Sequence, residues 1–140
     1  MTAQALRLPH MEWPALALSG AGPVLARPSG EAQIVSAAEA RAGLASGDVL
    51  VCHAVFTAQR LNVRATKPLF DVLELFAFVR PGEPCLPSPL GLARALGLQE
   101  PASPEDYARL LHKAAVALMD HLLVLPTDEK NRARKTAAFM

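Results

Sequence analysis

Val49-Leu50-Val51-Cys52-His53-Ala54-Val55-Phe56-Thr57 is the stretch that decides the fold. Val49 to Cys52 is continuously apolar and rich in β-branched residues, with helix-forming sequence on either side. That pattern suits a strand buried on both faces of a sheet. Helix, strand, helix is the signature of an α/β crossover unit. Ala54 to Leu61 follows as a short helix, with Phe56 and Leu61 at helical spacing and Phe56 expected to fill the core.

Upstream, Leu16-Ala17-Leu18, Val24-Leu25-Ala26 and Glu31 to Val35 are short runs separated by Gly20-Ala21-Gly22-Pro23 and Pro28-Ser29-Gly30. Such punctuation predicts an antiparallel strand meander. Ser36-Ala37-Ala38-Glu39 is a capping box that opens a helix running to about Leu44, stopped by Ser46-Gly47-Asp48. Downstream, Asp71 is an N-cap residue with Glu74 three positions on, and that helix ends at Arg80-Pro81-Gly82. Ser88-Pro89 starts another helix, closed by Gly97. Ser103-Pro104-Glu105-Asp106 starts the last, which is apolar nearly all round to about Val124 and so is expected to be buried on more than one face. Phe70, Phe76 and Phe78 are assigned to the core, and Met11 and Trp13 either to surface anchors or to an N-terminal packing edge. After Pro126 the chain turns polar and restarts at Ala133. Residues 1–126 are therefore read as one domain. Residues 127–140 are read as the start of a linker or following helix, cut short.

Composition narrows the function classes. Of 140 residues, 51% are hydrophobic, enough for one core. Charged residues make up 19% and the formal net charge is +1, without the clustered basic surface that nucleic-acid binding usually needs. Two cysteines, Cys52 and Cys85, make no disulfide framework. With no secretory leader and no apolar run of membrane-spanning length, the expected location is cytoplasmic. A zinc set of Cys52, His53, Cys85 and His112 lacks paired ligand spacing, so no metal is assigned. His53 is expected to cap the following helix or to pack, rather than to act as a catalytic group or ligand. A phosphate-cradling Gly-rich loop and a nucleophile elbow are both missing, and no cofactor is expected.

The order Cys52-His53-Ala54-Val55-Phe56-Thr57, Phe70-Asp71-Val72-Leu73-Glu74-Leu75, then Leu90-Gly91-Leu92-Ala93-Arg94-Ala95-Leu96-Gly97-Leu98 resembles the middle of a proofreading-type DEDD exonuclease domain. The resemblance implies an RNase H-like α/β fold, a mixed sheet of about five strands flanked by helices. In that family, acids converge on paired divalent cations. Aligned residue by residue, Ala17, Ser19, Thr57 and Ala117 stand at the four acid positions, and only an accompanying histidine, His112, is kept. Ala17, Thr57 and Ala117 are expected to line one shallow pocket, with His112 looking toward it. A bland role for His112 as a structural histidine is favoured over a relic general base.

Val51-Cys52-His53-Ala54, the run from Asp71 through Leu73-Glu74-Leu75-Phe76-Ala77-Phe78-Val79-Arg80-Pro81, and the Pro-rich loop after it also resemble the N-terminal region of some bacterial DinG-type ATP-dependent DNA helicases. What this implies is a noncatalytic exonuclease-like module in a helicase, serving DNA positioning or contact with a replication or repair protein. It binds DNA weakly and no membrane. Two rival readings stand beside it: an active metal-dependent nuclease using Asp48, Asp71 and Asp120, and a standalone α/β interaction protein.

Overall fold

A computed structural model describes residues 12–64 and 66–123. The elements run β1 (Ala15–Ser19), β2 (Gly22–Ala26), β3 (Ala32–Ile34), α1 (Ala37–Ser46), β4 (Leu50–Val51), α2 (Ala54–Arg60), β5 (Phe70–Asp71), α3 (Val72–Val79), α4 (Pro89–Leu96) and α5 (Pro104–Leu123). The sheet order is β3-β2-β1-β4-β5. The first three strands form the expected antiparallel meander, and β4 and β5 add in parallel beyond β1. Among the described residues the result is a mixed five-stranded sheet flanked by five helices, an RNase H-like arrangement.

Local chemistry sets these elements. The β1–β2 turn is closed by Ser19, whose hydroxyl donates to the Gly22 carbonyl at 2.8 Å and accepts from the Ala21 amide at 3.2 Å. Ser36 accepts from the Glu39 amide at 3.1 Å and starts α1. Gly47, at φ 73°, ends it in a conformation that a side chain would resist. Ser88 accepts from the Gly91 amide, Pro89 opens α4, and Gly97 closes it in the left-handed region. The chain then crosses from β3 through α1 to β4, past β2 and β1, which makes β1 the central strand.

Strand alternation gives the sheet two apolar faces. Ala15, Ala17, Leu50 and Cys52 face α3, α4 and α5, in one core with Phe76, Leu92, Leu111 and Leu118. Leu16, Val49 and Val51 face the other way, against Ala40 and Leu44 of α1 and Leu61 beyond α2. On the first face, Ala15, Ala17 and Ala26 meet Ala108, Ala114 and Ala115 of α5 within the same core. Small residues on both sides permit the long helix to lie close to the strands.

One expectation needs correction. Phe56 does not fill the core: it is 48% exposed, and among the described residues no element covers its side of α2. The last helix packs against both the sheet and α3 and α4, as its apolar pattern predicts, and keeps one stripe to solvent. Lys113, Val116 and Asp120 form an exposed stripe at helical spacing, and Val116 is 45% exposed. Met11 and the restart after Pro126 lie outside the described residues. Among those described, no helix is long and apolar enough to cross a membrane.

Candidate functional site

The resemblance directs attention to Ala17 and Ser19 of β1, Thr57 of α2 and Ala117 of α5, the positions it pairs with acids. Ala17 is 3% exposed and belongs to the core against α5. Ser19 is engaged in its own turn. Thr57 is buried, and its hydroxyl lies 3.0 Å from the His53 carbonyl and 3.1 Å from that of Cys52, donating back to the turn that starts its helix. Ala117 sits half-buried on α5 and outside the main core.

His112 does not look toward Ala17. Its Nε2 lies 2.7 Å from the carbonyl oxygen of Trp13. A carbonyl only accepts, so this nitrogen carries the hydrogen. Trp13 precedes Ala17 by four residues, about 13 Å along extended chain. His112 therefore ties α5 to the segment entering β1, a structural role.

The polar centre lies instead at the exit of β4. The Asp71 carboxylate accepts three backbone amides: His53 at 3.0 Å and Leu73 at 2.9 Å on Oδ1, and Ala54 at 2.8 Å on Oδ2. One side chain thus caps α3 and also clamps the β4–α2 turn to the β5–α3 turn. The sequence showed the cap, whereas the two amides from 17 and 18 residues upstream had no local signal. The clamp holds His53 in the left-handed region at φ 63°, uncommon for a residue with a side chain. From there His53 Nδ1 accepts the Phe56 amide at 3.0 Å, capping α2 as expected, and its ring meets the Phe56 edge at 5.8 Å.

Asp48, Asp71 and Asp120 are not brought together. Asp48 is exposed before β4, while the Asp71 carboxylate sits at the far end of that strand. Five residues of extended chain, roughly 16 Å, separate Asp48 from His53. Asp120 lies on the exposed stripe of α5. Among the described residues no group of three or more His, Cys, Asp or Glu is placed to hold a metal ion.

Cys52 is buried beside this centre. Desolvation pushes its thiol up to about 12, with the negative charges of Asp71 and Cys85 adding to the rise. Desolvation also raises Cys85, which is half-buried. The native Cys52 should therefore resist a disulfide reagent at pH 8, reacting on the order of a thousandfold more slowly than in the unfolded chain and more slowly than Cys85. The sign of its pH effect follows from the same shift. The folded state keeps the proton that the unfolded thiol releases above pH 9. Its contribution is intact below pH 9 and falls about tenfold in the folding equilibrium per pH unit as pH rises toward 12. Cys52→Ala should remove that component of the alkaline decline. Equal labelling rates in native and urea-unfolded protein would contradict this placement.

An open groove of about 540 Å³ runs beside the clamp. Ala54, Val55 and Ala58 of α2 form one wall. Val63, Arg64, Lys67 and Leu69 of the following loop form another, and Asp71 and Glu74 lie at the start of α3.

Compared with protein-family models, with curated proteins and with solved structures, the chain matches none.

Proposed function

We propose that this domain is a noncatalytic, exonuclease-like module that works by binding, in the setting the resemblance implies: the N-terminal part of an ATP-dependent DNA helicase. One observation carries the reading. The central strand of an RNase H-like sheet bears Ala17 and Ser19, one packed under α5 and the other closing a turn. Two-metal hydrolysis depends on carboxylates converging on the cations, and neither residue supplies one. Thr57 likewise donates its hydroxyl to the main chain. With a formal net charge of +1, the module contributes little phosphate neutralisation of its own. Its part is to position the DNA that the motor holds, or to contact another replication or repair protein.

The test is incubation of labelled single-stranded DNA with the chain and magnesium or manganese. The expected result is no shortening above the no-protein control. Any DNA affinity should be weak and fall steeply between about 50 and 200 mM salt. Metal-dependent cleavage that travels with the chain on gel filtration, and disappears in Asp71→Asn or Asp120→Asn, would replace this reading with the active nuclease.

A further inference from the structure

The cap of α2 is made by an imidazole, and only one protonation state of an imidazole can make it. His53 Nδ1 lies 3.0 Å from the Phe56 amide. An amide N–H only donates, so Nδ1 is the bare nitrogen and the ring hydrogen sits on Nε2. A protonated ring carries hydrogen on both nitrogens and has no acceptor left. Imidazoles as a class take up that proton between about pH 8 and 5. The caps of α1, α3 and α4 are built differently. Ser36 and Ser88 accept through hydroxyls, and Asp71 through a carboxyl group that keeps an acceptor oxygen even when protonated.

We infer that His53 is an acid-released latch on α2: when its ring takes a proton, the Phe56 amide loses its acceptor and the helix opens, while the turn before it stays fixed. Which atoms are bonded sets this division. The Asp71 carboxylate holds the backbone amides of His53 and Ala54, not the ring, so ring protonation leaves the turn clamped. The helix beyond has seven residues, with Val55 64% and Phe56 48% exposed. So short a helix does not persist without its cap. Thr57 and Leu61 are its buried anchors, and Leu61 packs in the second core with Leu16, Val49 and Val51. Opening α2 uncovers that apolar face. His53 itself is half-buried, so water and protons reach the ring.

The surrounding charges do not rescue the cap. Among the described residues, β5 presents Asp71, α3 presents Glu74, the loop after α2 presents Arg64 and Lys67, and β1 presents none. Asp71 is the anion bonded to the main chain of His53. If the charged ring swings toward it, Nδ1 leaves Phe56 and the cap is lost all the same. Helix α5 carries two more imidazoles, His112 and His121, besides Lys113 and Asp120 on its exposed stripe. The sign is therefore fixed: the cap is complete while the ring is neutral, and its contribution is lost as pH falls through the imidazole range. The latch is independent of any exonuclease ancestry, because it uses none of the four neutral acid positions as the titrating group.

The test is hydrogen exchange of the whole chain followed by NMR at about pH 8 and about pH 5, expressed as protection factors so that the intrinsic effect of pH on exchange is divided out. The amides of Thr57 and Leu61 bond to the His53 and Thr57 carbonyls and report on α2. Their protection should fall about five- to tenfold at the lower pH, the scale of a lost N-cap, while that of β1 holds. His53→Asn should keep α2 protected at both values, since asparagine tolerates the left-handed region and caps through an oxygen that does not titrate. Nitrogen shifts of the wild-type ring at the higher pH should place the hydrogen on Nε2, a check that stands even if the variant fails to fold. Equal α2 protection at the two values, or a fall shared equally by β1, overturns the inference. So does a fall that persists in His53→Asn, which would assign the response to His112, His121 or a carboxylate. Hydrogen on Nδ1 at the higher pH overturns it whatever the variant does.

Discussion

Replacing Asp71 by alanine should lower folding stability on the order of 3–5 kcal/mol, read as a fall in the urea midpoint at unchanged slope. The carboxylate accepts from the amides of His53, Ala54 and Leu73, and no other side chain is bonded to them. Hydrogen bonds to a charged acceptor contribute about 1.5–3 kcal/mol each. Asp71 is only half-buried, so water replaces part of the loss and the three do not simply add. Two further effects act in opposite directions, a relief of strain and a lost cap. His53 occupies the left-handed region, which costs about 1–2 kcal/mol for a residue with a side chain. Without the clamp that strain relaxes, and the bond from the Phe56 amide to His53 Nδ1 goes with it. Helix α2 has seven residues, too few to persist without its cap and its packing. Its amides should lose protection from hydrogen exchange ahead of those of β1. Asp71→Asn keeps one acceptor oxygen and should lose about half as much. An alanine variant within about 1 kcal/mol of wild type, the range of an ordinary surface change, would show that the clamp holds nothing.

That clamp also marks the boundary of what sequence could reveal. Strands Ala15–Ser19 and Gly22–Ala26 were legible because apolar runs and a Gly-Ala-Gly-Pro turn carry the information locally. The buried Leu50–Val51 strand was legible because no polar residue interrupts it. Helix starts at Ser36, Asp71 and Ser88 were legible because a cap side chain bonds its own neighbours. Strand Phe70–Asp71 has two residues and no period of its own, and it exists because β4 offers it an edge. Phe56 was placed in the core because spacing reports that a side chain is apolar, not whether a neighbouring element arrives to cover it.

The candidate site divides the same way. The neutral residues at 17, 19, 57 and 117 are read directly from the chain, whereas their surroundings are not. Thr57 bonding back to the carbonyl four residues earlier is a local habit of threonine in helices, and the sequence held that signal. His112 reaching Trp13 spans 99 residues and ends on a carbonyl, which carries no residue-type signature at all. The groove is assembled from one face of α2 and an irregular loop. Such loops have no periodicity from which Arg64 and Lys67 could be assigned a direction.

Gly91→Ala should destabilise the protein by about 2–3 kcal/mol, against the helix preference that ordinarily makes this exchange favourable by about 1 kcal/mol. Gly91 sits buried in the first turn of α4. A Cβ built on it would lie 2.7 Å from Leu86 Cβ and 2.8 Å from the Leu86 carbonyl carbon, and would press on the Leu86 carbonyl oxygen as well. Two of those neighbours are backbone and cannot swing aside as a side-chain tip can. The Leu86 carbonyl is further fixed by the Ser88 amide at 2.7 Å. Ser88 is itself the residue that caps α4 through the Gly91 amide at 3.0 Å. Relieving the clash must therefore move the cap, the loop that carries Leu86, or Leu92, which is fully buried against the sheet. Overpacking of that kind costs about 1–3 kcal/mol and occasionally more, and the lost cap adds about 1 kcal/mol. The comparison that isolates the cause is Gly43→Ala in α1, where the added Cβ meets nothing within 4 Å. That exchange should stabilise by a few tenths to 1 kcal/mol. If both variants shift the urea midpoint the same way, close approach of Leu86 is not what requires glycine at position 91.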